Sequence, residues 1–219
     1  MSTADRRPLV LRDLAWLRRL AAHLAQRGVS PNLISVWGVL CALAAGGAWA
    51  LTSGGVIDRA LWLVGAVLVA MRICANTLDG LVAVEHGKAS PEGLLYNEAP
   101  DRISDSLLLI GAGYAHGSVP ELGYLAACIA LFVAYVRILG RVAGAASDYS
   151  GPMDKGGRMI TLIAAALYLA FAPLSWQPAW GPGDRWGLPA LALALIVLGG
   201  VLTAARRLRR AARRLREAG

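Results

Sequence analysis

Between residues 76 and 105 the chain sets Asn76, Asp79, Asn97, Glu98, Asp101 and Asp105 among long apolar runs. An ionised carboxylate is costly to bury, and one inside a membrane segment points to function. At about 100° per residue on a helix, Asn76, Asp79, Gly80 and Ala83 fall on one narrow arc, with Arg72 one turn earlier. In the next apolar run Asn97, Asp101 and Asp105 follow at i, i+4 and i+8, and Glu98 stands at the edge of that face. Two consecutive antiparallel helices would therefore point oxygen ligands at each other. Oxygen-only donors suit a hard cation such as Mg2+, Mn2+ or Ca2+, not zinc. Gly80, Ala83 and Gly93 keep that surface small enough for a flat group or a phosphate to reach the backbone. The same residues admit a structural reading, in which Arg72 or Arg102 neutralises Asp79 or Asp105 in intramembrane ion pairs.

Helices must carry these positions, and composition says which kind. Of 219 residues 57% are hydrophobic and only 16% charged. Apolar runs long enough to span a bilayer, at about 20 residues each, recur at roughly 33–52, 60–84, 94–115, 122–146, 158–175 and 186–205. The expected fold is all-α: a polytopic membrane helix bundle with six transmembrane helices. Val10, Leu14, Leu17, Ala21 and Leu24 recur at helical spacing, with Arg12, Arg18, Arg19 and Gln26 off the stripe. This predicts an N-terminal interfacial amphipathic helix or a solvated helix that packs on a partner. In "GVSPN" Gly28 can end that helix, Ser30 can cap the next and Pro31 suits its first turn. Three segments result: 1–30 with the amphipathic helix, a membrane domain over 31–205, and an Arg-rich tail over 206–219 that continues the last helix.

The formal charge of +8 is concentrated before the first run, after the last, and in the second and fourth connections. By the positive-inside rule both termini are cytoplasmic, which needs an even number of spans. Trp176, Trp180 and Trp186 mark the opposite interface. The charge is thus a topology signal with some attraction to anionic lipid, and nucleic acid is excluded as a partner. Cys41, Cys74 and Cys128 lie in apolar segments and read as small core residues. No cleavable signal peptide is expected, since the first apolar run starts after about thirty residues. His86, Asp148 and Asp154 read as solvated loop residues. High Ala, Arg and Gly usage favours a bacterial inner membrane.

The run Asn76-x-x-Asp79-Gly80-x-x-Ala83-Val84, eight residues, Gly93-x-x-x-Asn97-x-x-x-Asp101 resembles the signature of the CDP-alcohol phosphotransferase family. That signature is Asp-x-x-Asp-Gly-x-x-Ala-Arg, eight or nine residues, then Gly-x-x-x-Asp-x-x-x-Asp. "GVSPNLIS" resembles the start of the family's first span, and "GPMDKGGRM" its basic loop before the fifth. Three positions depart: Asn76 and Asn97 replace acids, and Val84 replaces the arginine.

The resemblance implies transfer of a phosphatidyl group from CDP-diacylglycerol to a polar alcohol or alcohol phosphate, with release of CMP. It implies two divalent ions, Mg2+ or Mn2+, held by Asn76, Asp79, Asn97 and Asp101, with Glu98 and Asp105 restoring charge. Asp101 would also be the general base. Asn76, Asp79, Gly80, Ala83 and Gly93 would surround the nucleotide. Arg137, Arg141, Lys155 and Arg158 would meet acceptor or donor phosphates, although the positive-inside rule also accounts for some of them. Membrane lipids and a homodimer are the further partners it implies. Two other readings stay open: a family member that binds nucleotide or lipid without turnover, and a cation transporter.

Overall fold

The computed structural model of the chain describes residues 14–85, 93–181, 183 and 185–218, with the side chains of residues 85, 94, 97 and 218 outside that description. Seven helices follow in order: α1 Ala15–Gln26, α2 Pro31–Ala50, α3 Asp58–Glu85, α4 Gly93–Tyr114, α5 Pro120–Val142, α6 Lys155–Phe171 and α7 Leu188–Ala218. Between α6 and α7 lie a short 3-10 turn and a two-residue ladder, β1 (Ala179–Trp180) against β2 (Trp186–Gly187).

Local chemistry sets the boundaries. Gly28 closes α1 at φ +77°, a left-handed conformation that costs a residue with a Cβ. Ser30 Oγ then accepts from the Leu33 amide at 3.2 Å and Pro31 opens α2, as the sequence predicts. Asp154 caps α6 by accepting from the Gly157 amide at 2.8 Å, so it is a structural cap and not a solvated loop residue. His86 lies outside the described residues.

The described helices α2, α3, α5 and α7 are long and apolar enough to cross a membrane. α4 falls short because of what it carries: Glu98, Asp101, Arg102 and Asp105. α6 has only 17 residues and begins with Lys155 and Arg158 in its first turn and a half. Large apolar side chains cover the outside of the bundle, among them Leu33, Leu40, Val67, Leu131, Leu195 and Leu198. The interior is rich in small residues, with Ala42, Ala45, Ala112, Ala126, Ala130 and Ala166 packed in one core cluster with Trp49, Leu108, Leu109 and Leu193. An apolar outer face and small residues at helix contacts suit a protein dissolved in lipid, where close backbone approach replaces the hydrophobic effect between helices. The protein is an integral membrane protein.

α2 is the centre, packed on both α3 and α4, while α5 joins α4 to α7 and α3 joins α6. Its contact with α4 is a glycine crossing: a Cβ on Gly46 would stand 2.5 Å from the Leu107 carbonyl oxygen, and one on Gly111 would overlap Gly46. The amphipathic stripe of α1 is spent on protein: Leu17 and Ala21 are fully buried against Ala75, Leu78, Leu81 and Val82 of α3. Val10 and Arg12 lie outside the described residues. Cys41 is buried, but Cys128 is exposed on the bundle's outer face, against the expectation of a core residue.

A bulky side chain at the glycine crossing should force α2 and α4 apart. Gly111→Val is expected to destabilise the protein by about 1–3 kcal/mol, as overpacking does. Thermal unfolding in detergent, with Gly47→Val as the control because a Cβ there meets nothing within 4 Å, measures this.

Candidate functional site

α3 presents Arg72, Asn76 and Asp79 on one face, and α4 presents Asp101 and Asp105 towards it. Arg72 reaches Asp101 and Asp105, and Asn76 one turn later reaches Asp101, the pairing order of two antiparallel helices. Ser35, Gly38, Arg72, Asn76, Asp79, Pro100, Asp101 and Ser104 line a small polar crevice between α2, α3 and α4. Pro100 has no N–H for the carbonyl one turn earlier, so α4's ladder is interrupted on the turn that carries Asn97, Glu98 and Asp101.

Asp101 is the node. Its Oδ1 accepts from Arg72 Nη2 at 2.9 Å and from Asn76 Nδ2 at 3.2 Å. Its Oδ2 accepts from Lys155 Nζ, which also donates to Asn76 Oδ1 at 2.5 Å. Asp105, 1% exposed, pairs with Arg158 at 2.6 Å and with Arg72 at 3.5 Å. Asp79 Oδ2 accepts from Ser35 Oγ at 2.6 Å. The buried Asp79 Oδ1 has no hydrogen-bond partner.

The structural reading of the acids as ion pairs therefore holds for part of the set, with the partners redistributed. Arg72 takes Asp101 and Asp105 and not Asp79. Glu98 does not join the crevice: Arg137 of α5 binds its Oε1 at 2.5 Å and Arg102 lies 3.8 Å from its Oε2. Among the described residues no three His, Cys, Asp or Glu side chains converge on one cation position. The expected charge compensation by Glu98 and Asp105 is thus not what the geometry provides, because basic side chains from α5 and α6 already neutralise both. The Asn97 side chain lies outside the described residues. Gly80 and Ala83 stand half-buried on the face of α3, and Gly93 starts α4.

Of the four basic residues expected to meet phosphates, three face carboxylates. Lys155 and Arg158 reach Asp101 and Asp105, and Arg137 holds Glu98 while lying 5.2 Å over the Tyr149 ring. Arg141 is exposed near the end of α5.

Two contributions were missed in the sequence. Ser35, on α2 and outside the signature, orients Asp79. The second is α7. Its Thr203, Arg207, Arg210 and Arg214 recur at helical spacing and clamp the loop before α6. Thr203 Oγ1 accepts from the Met153 amide at 3.1 Å. Arg207, 5% exposed, donates to the carbonyls of Ser150 at 3.0 Å and Val133 at 3.2 Å. Arg210 pairs with Asp148 at 3.1 Å and Arg214 donates to the Ala146 carbonyl at 3.1 Å. Counting these arginines only as topology charge hid a stripe that i, i+4, i+7, i+11 spacing displays. The loop they hold ends in Asp154, and so in the positions of Lys155 and Arg158. Burial pushes the Asp148 carboxyl up, but hydrogen bonds from Ser150 and Arg210 outweigh it and leave it below the usual carboxylate range. Asp148 is therefore no simple solvated residue. A depressed carboxyl stabilises above its unfolded value near about 4, so this latch weakens only as pH falls below that.

No family model matches this chain. Archaetidylinositol phosphate synthase of Methanothermobacter thermautotrophicus is 31% identical over 152 residues, 69% of this chain and 73% of the relative. Phosphatidylinositol phosphate synthase of Mycobacterium marinum is 28% identical over 195 residues, covering 86% and 76%. Crystal structures of Mycobacterium tuberculosis phosphatidylinositol phosphate synthase share the fold. The one with CDP-DAG bound superposes with a TM-score of 0.69 at 19% identity, covering 89% of this chain and 92% of that one. The one in complex with manganese and citrate gives 0.69 at 20% identity, covering 89% and 88%.

Arg158→Met strands Asp105 in the core with Arg72 as its remaining partner, and a broken buried pair costs about 3 kcal/mol or more. Unfolding measurements should show that loss and its recovery in Arg158→Met/Asp105→Leu. Arg207→Met is expected to speed hydrogen exchange at residues 148–153 while the exchange of α3 stays unchanged.

Proposed function

Because the chain belongs to the CDP-alcohol phosphotransferase family, and is an enzyme of phospholipid biosynthesis, we propose that it transfers a phosphatidyl group from CDP-diacylglycerol to the hydroxyl of a polar alcohol or alcohol phosphate, releasing CMP. The relatives' names, which end in inositol phosphate synthase, favour a phosphorylated polyol as acceptor. They also favour turnover over the binding-only and transport readings.

The carrying observation is the crevice where Asp79 and Asp101 face each other from two helices with Asn76 between. The buried, unpartnered Asp79 Oδ1 in an all-oxygen donor set fits a divalent cation. Asp79 would hold it, with the Asn97 amide oxygen as the further candidate, since Asn76 Oδ1 and Asp101 Oδ2 accept from Lys155. Such a cation, Mg2+ or Mn2+, neutralises charge on the donor's pyrophosphate and leaving CMP.

The chain's own residues supply position and proton transfer. A carboxylate offers about four lone-pair sites. Arg72 and Asn76 occupy Oδ1 of Asp101, and Oδ2 accepts from Lys155 with Arg102 3.7 Å away, which leaves a lone pair on Oδ2 for the acceptor hydroxyl's proton. Ser35 fixes Asp79. Gly80, Ala83 and Gly93 make room for the nucleotide. Arg102 and Arg141, both at this end of the bundle, would draw in an anionic acceptor, with Arg137, Lys155 and Arg158 behind them.

We read α4 and α6 as spans too, each shortened in apolar length by the site at its end, which makes six. Both termini then lie on the cytoplasmic side, with α1 and the arginine-rich end of α7 at that interface of a bacterial inner membrane. The 31 residues of α7 measure about 46 Å at 1.5 Å per residue, against a hydrocarbon core of about 30 Å, so its last turns stand clear of the membrane.

The test is CMP release by the purified protein in detergent, given CDP-diacylglycerol, a pool of polar alcohols and alcohol phosphates, and Mg2+ or Mn2+. Release that needs both the pool and the metal, and stops with a chelator, is the expected result. Asp101→Asn should lower the rate by roughly 10²–10⁴ if that carboxylate takes the proton. No release with either metal from folded protein would overturn the reading.

A further inference from the structure

Of the three buried acids here, Asp101 pairs with Arg72, Lys155 and Arg102, Asp105 pairs with Arg72 and Arg158, and Asp79 accepts from Ser35. Four cations of the chain thus stand on these three acids, whose charge is balanced before any metal arrives. Arg72 lines the crevice, and Lys155 stands at its edge: its ammonium bridges Asn76 Oδ1 and Asp101 Oδ2, two lining oxygens that come from different helices. Bridging oxygens of two elements is the task of a metal ion in an all-oxygen site. We propose that the Lys155 ammonium is a resident cation of this site, and that it limits the site to a single divalent ion anchored on Asp79.

The amide at residue 76 follows from the same arrangement. Lys155 can only donate, so it faces the Asn76 oxygen, and the Asn76 NH2 is then turned to donate to Asp101. An aspartate at 76 could accept from Lys155, but it could not donate to Asp101 and would set two carboxylates against each other. Asn76 is therefore the residue type that fits between an ammonium and a carboxylate. The loss of one acid and the presence of the lysine are two sides of one device.

Charge balance sets the number of ions. Desolvating uncompensated charge in a buried site costs several kcal/mol per ion. A CDP-linked donor brings two negative charges on its pyrophosphate, which one divalent cation balances in a site whose own acids already have their counter-charges. Two divalent cations would leave two positive charges in excess. This count rests on the proposed donor. The place of the second ion does not, because Lys155 already caps both oxygens that would hold it.

Lys155 reaches this place from the first residue of α6. Asp154 caps that helix, and Thr203 and Arg207 of α7 hold the preceding loop. The ammonium is thus positioned by backbone on two sides. It is a positioning and charge-balancing group, and the proton-accepting oxygen belongs to Asp101.

The experiment counts Mn2+ bound to the full chain in detergent, without substrate, from the loss of the free-ion electron paramagnetic resonance signal. The expected counts are one ion per chain for the wild type, none for Asp79→Asn and two for Asn76→Asp/Lys155→Met. A wild-type count of two or of none overturns the proposal. So does a folded Asn76→Asp/Lys155→Met protein that still binds one. If that double variant does not fold, Lys155→Met alone decides. Removing a like charge from a low-dielectric site should tighten the single ion about tenfold or more, and unchanged affinity overturns the proposal. Failure of CMP release would overturn the proposed transfer and leave the ion count standing. A wild-type count of two would do the reverse.

Discussion

Asp101 ties the functional end of the molecule together. One carboxylate on α4 gathers Arg72 and Asn76 from α3 and Lys155 from α6. Three helices are held in register at this point by directional, charge-assisted bonds. In lipid, where apolar faces have no preference for one another over solvent chains, such bonds and close backbone contacts carry specificity. The rest of the architecture follows from keeping that node in place. α2 stands behind it, with Ser35 fixing Asp79, and crosses α4 at Gly46 and Gly111. α1 seals α3 from the outside through Leu17 and Ala21.

The polar network also explains why α4 lacks the unbroken apolar stretch that α2, α3, α5 and α7 contain. A helix that must present Glu98, Asp101, Arg102 and Asp105 cannot read as a continuous hydrocarbon-length stretch. Each acid has its counterpart on a neighbouring helix, Arg137 on α5, Lys155 and Arg158 on α6 and Arg72 on α3, while Arg102 pairs within α4 with Glu98 and Asp101. Charge lost from hydropathy in one element is thus balanced by tertiary contact with three others. This is the arrangement in which buried ions are tolerated, paired and further hydrogen-bonded.

α7 gives the arginine-rich end of the chain a structural role beyond topology. Arg207 is buried and bonds two backbone carbonyls, one on α5 and one in the loop before α6. Arginine suits this because its planar fork reaches separate acceptors while remaining charged. The neighbouring Arg210 and Arg214 hold the same loop at its exposed side. The position of Lys155 at the crevice therefore depends on contacts made 50 or so residues further along, by side chains that would pass for a solvated basic tail.

The amino-acid sequence by itself determined the elements and the face that matters. Apolar run length placed the six long helices to within a few residues of their start, except at the end of α7, which helical propensity carries on past the apolar stretch. The Gly28-Ser30-Pro31 punctuation set the start of α2. Helical spacing put Asn76 and Asp79 on one arc, and Asp101 and Asp105 on another that faces it. These features are local, and their physics acts within one or two turns of helix. Tertiary structure decided which cation meets which acid. Nothing within four residues of Asp101 says that Lys155 will occupy one of its oxygens, that Arg158 will take Asp105, or that Glu98 will turn to Arg137. Those pairings join residues 39 to 54 positions apart, and they depend on how α5 and α6 pack and on where α7 pins the loop between them. A charge pattern states how many ions a site must balance; only the packing states which partner balances each one.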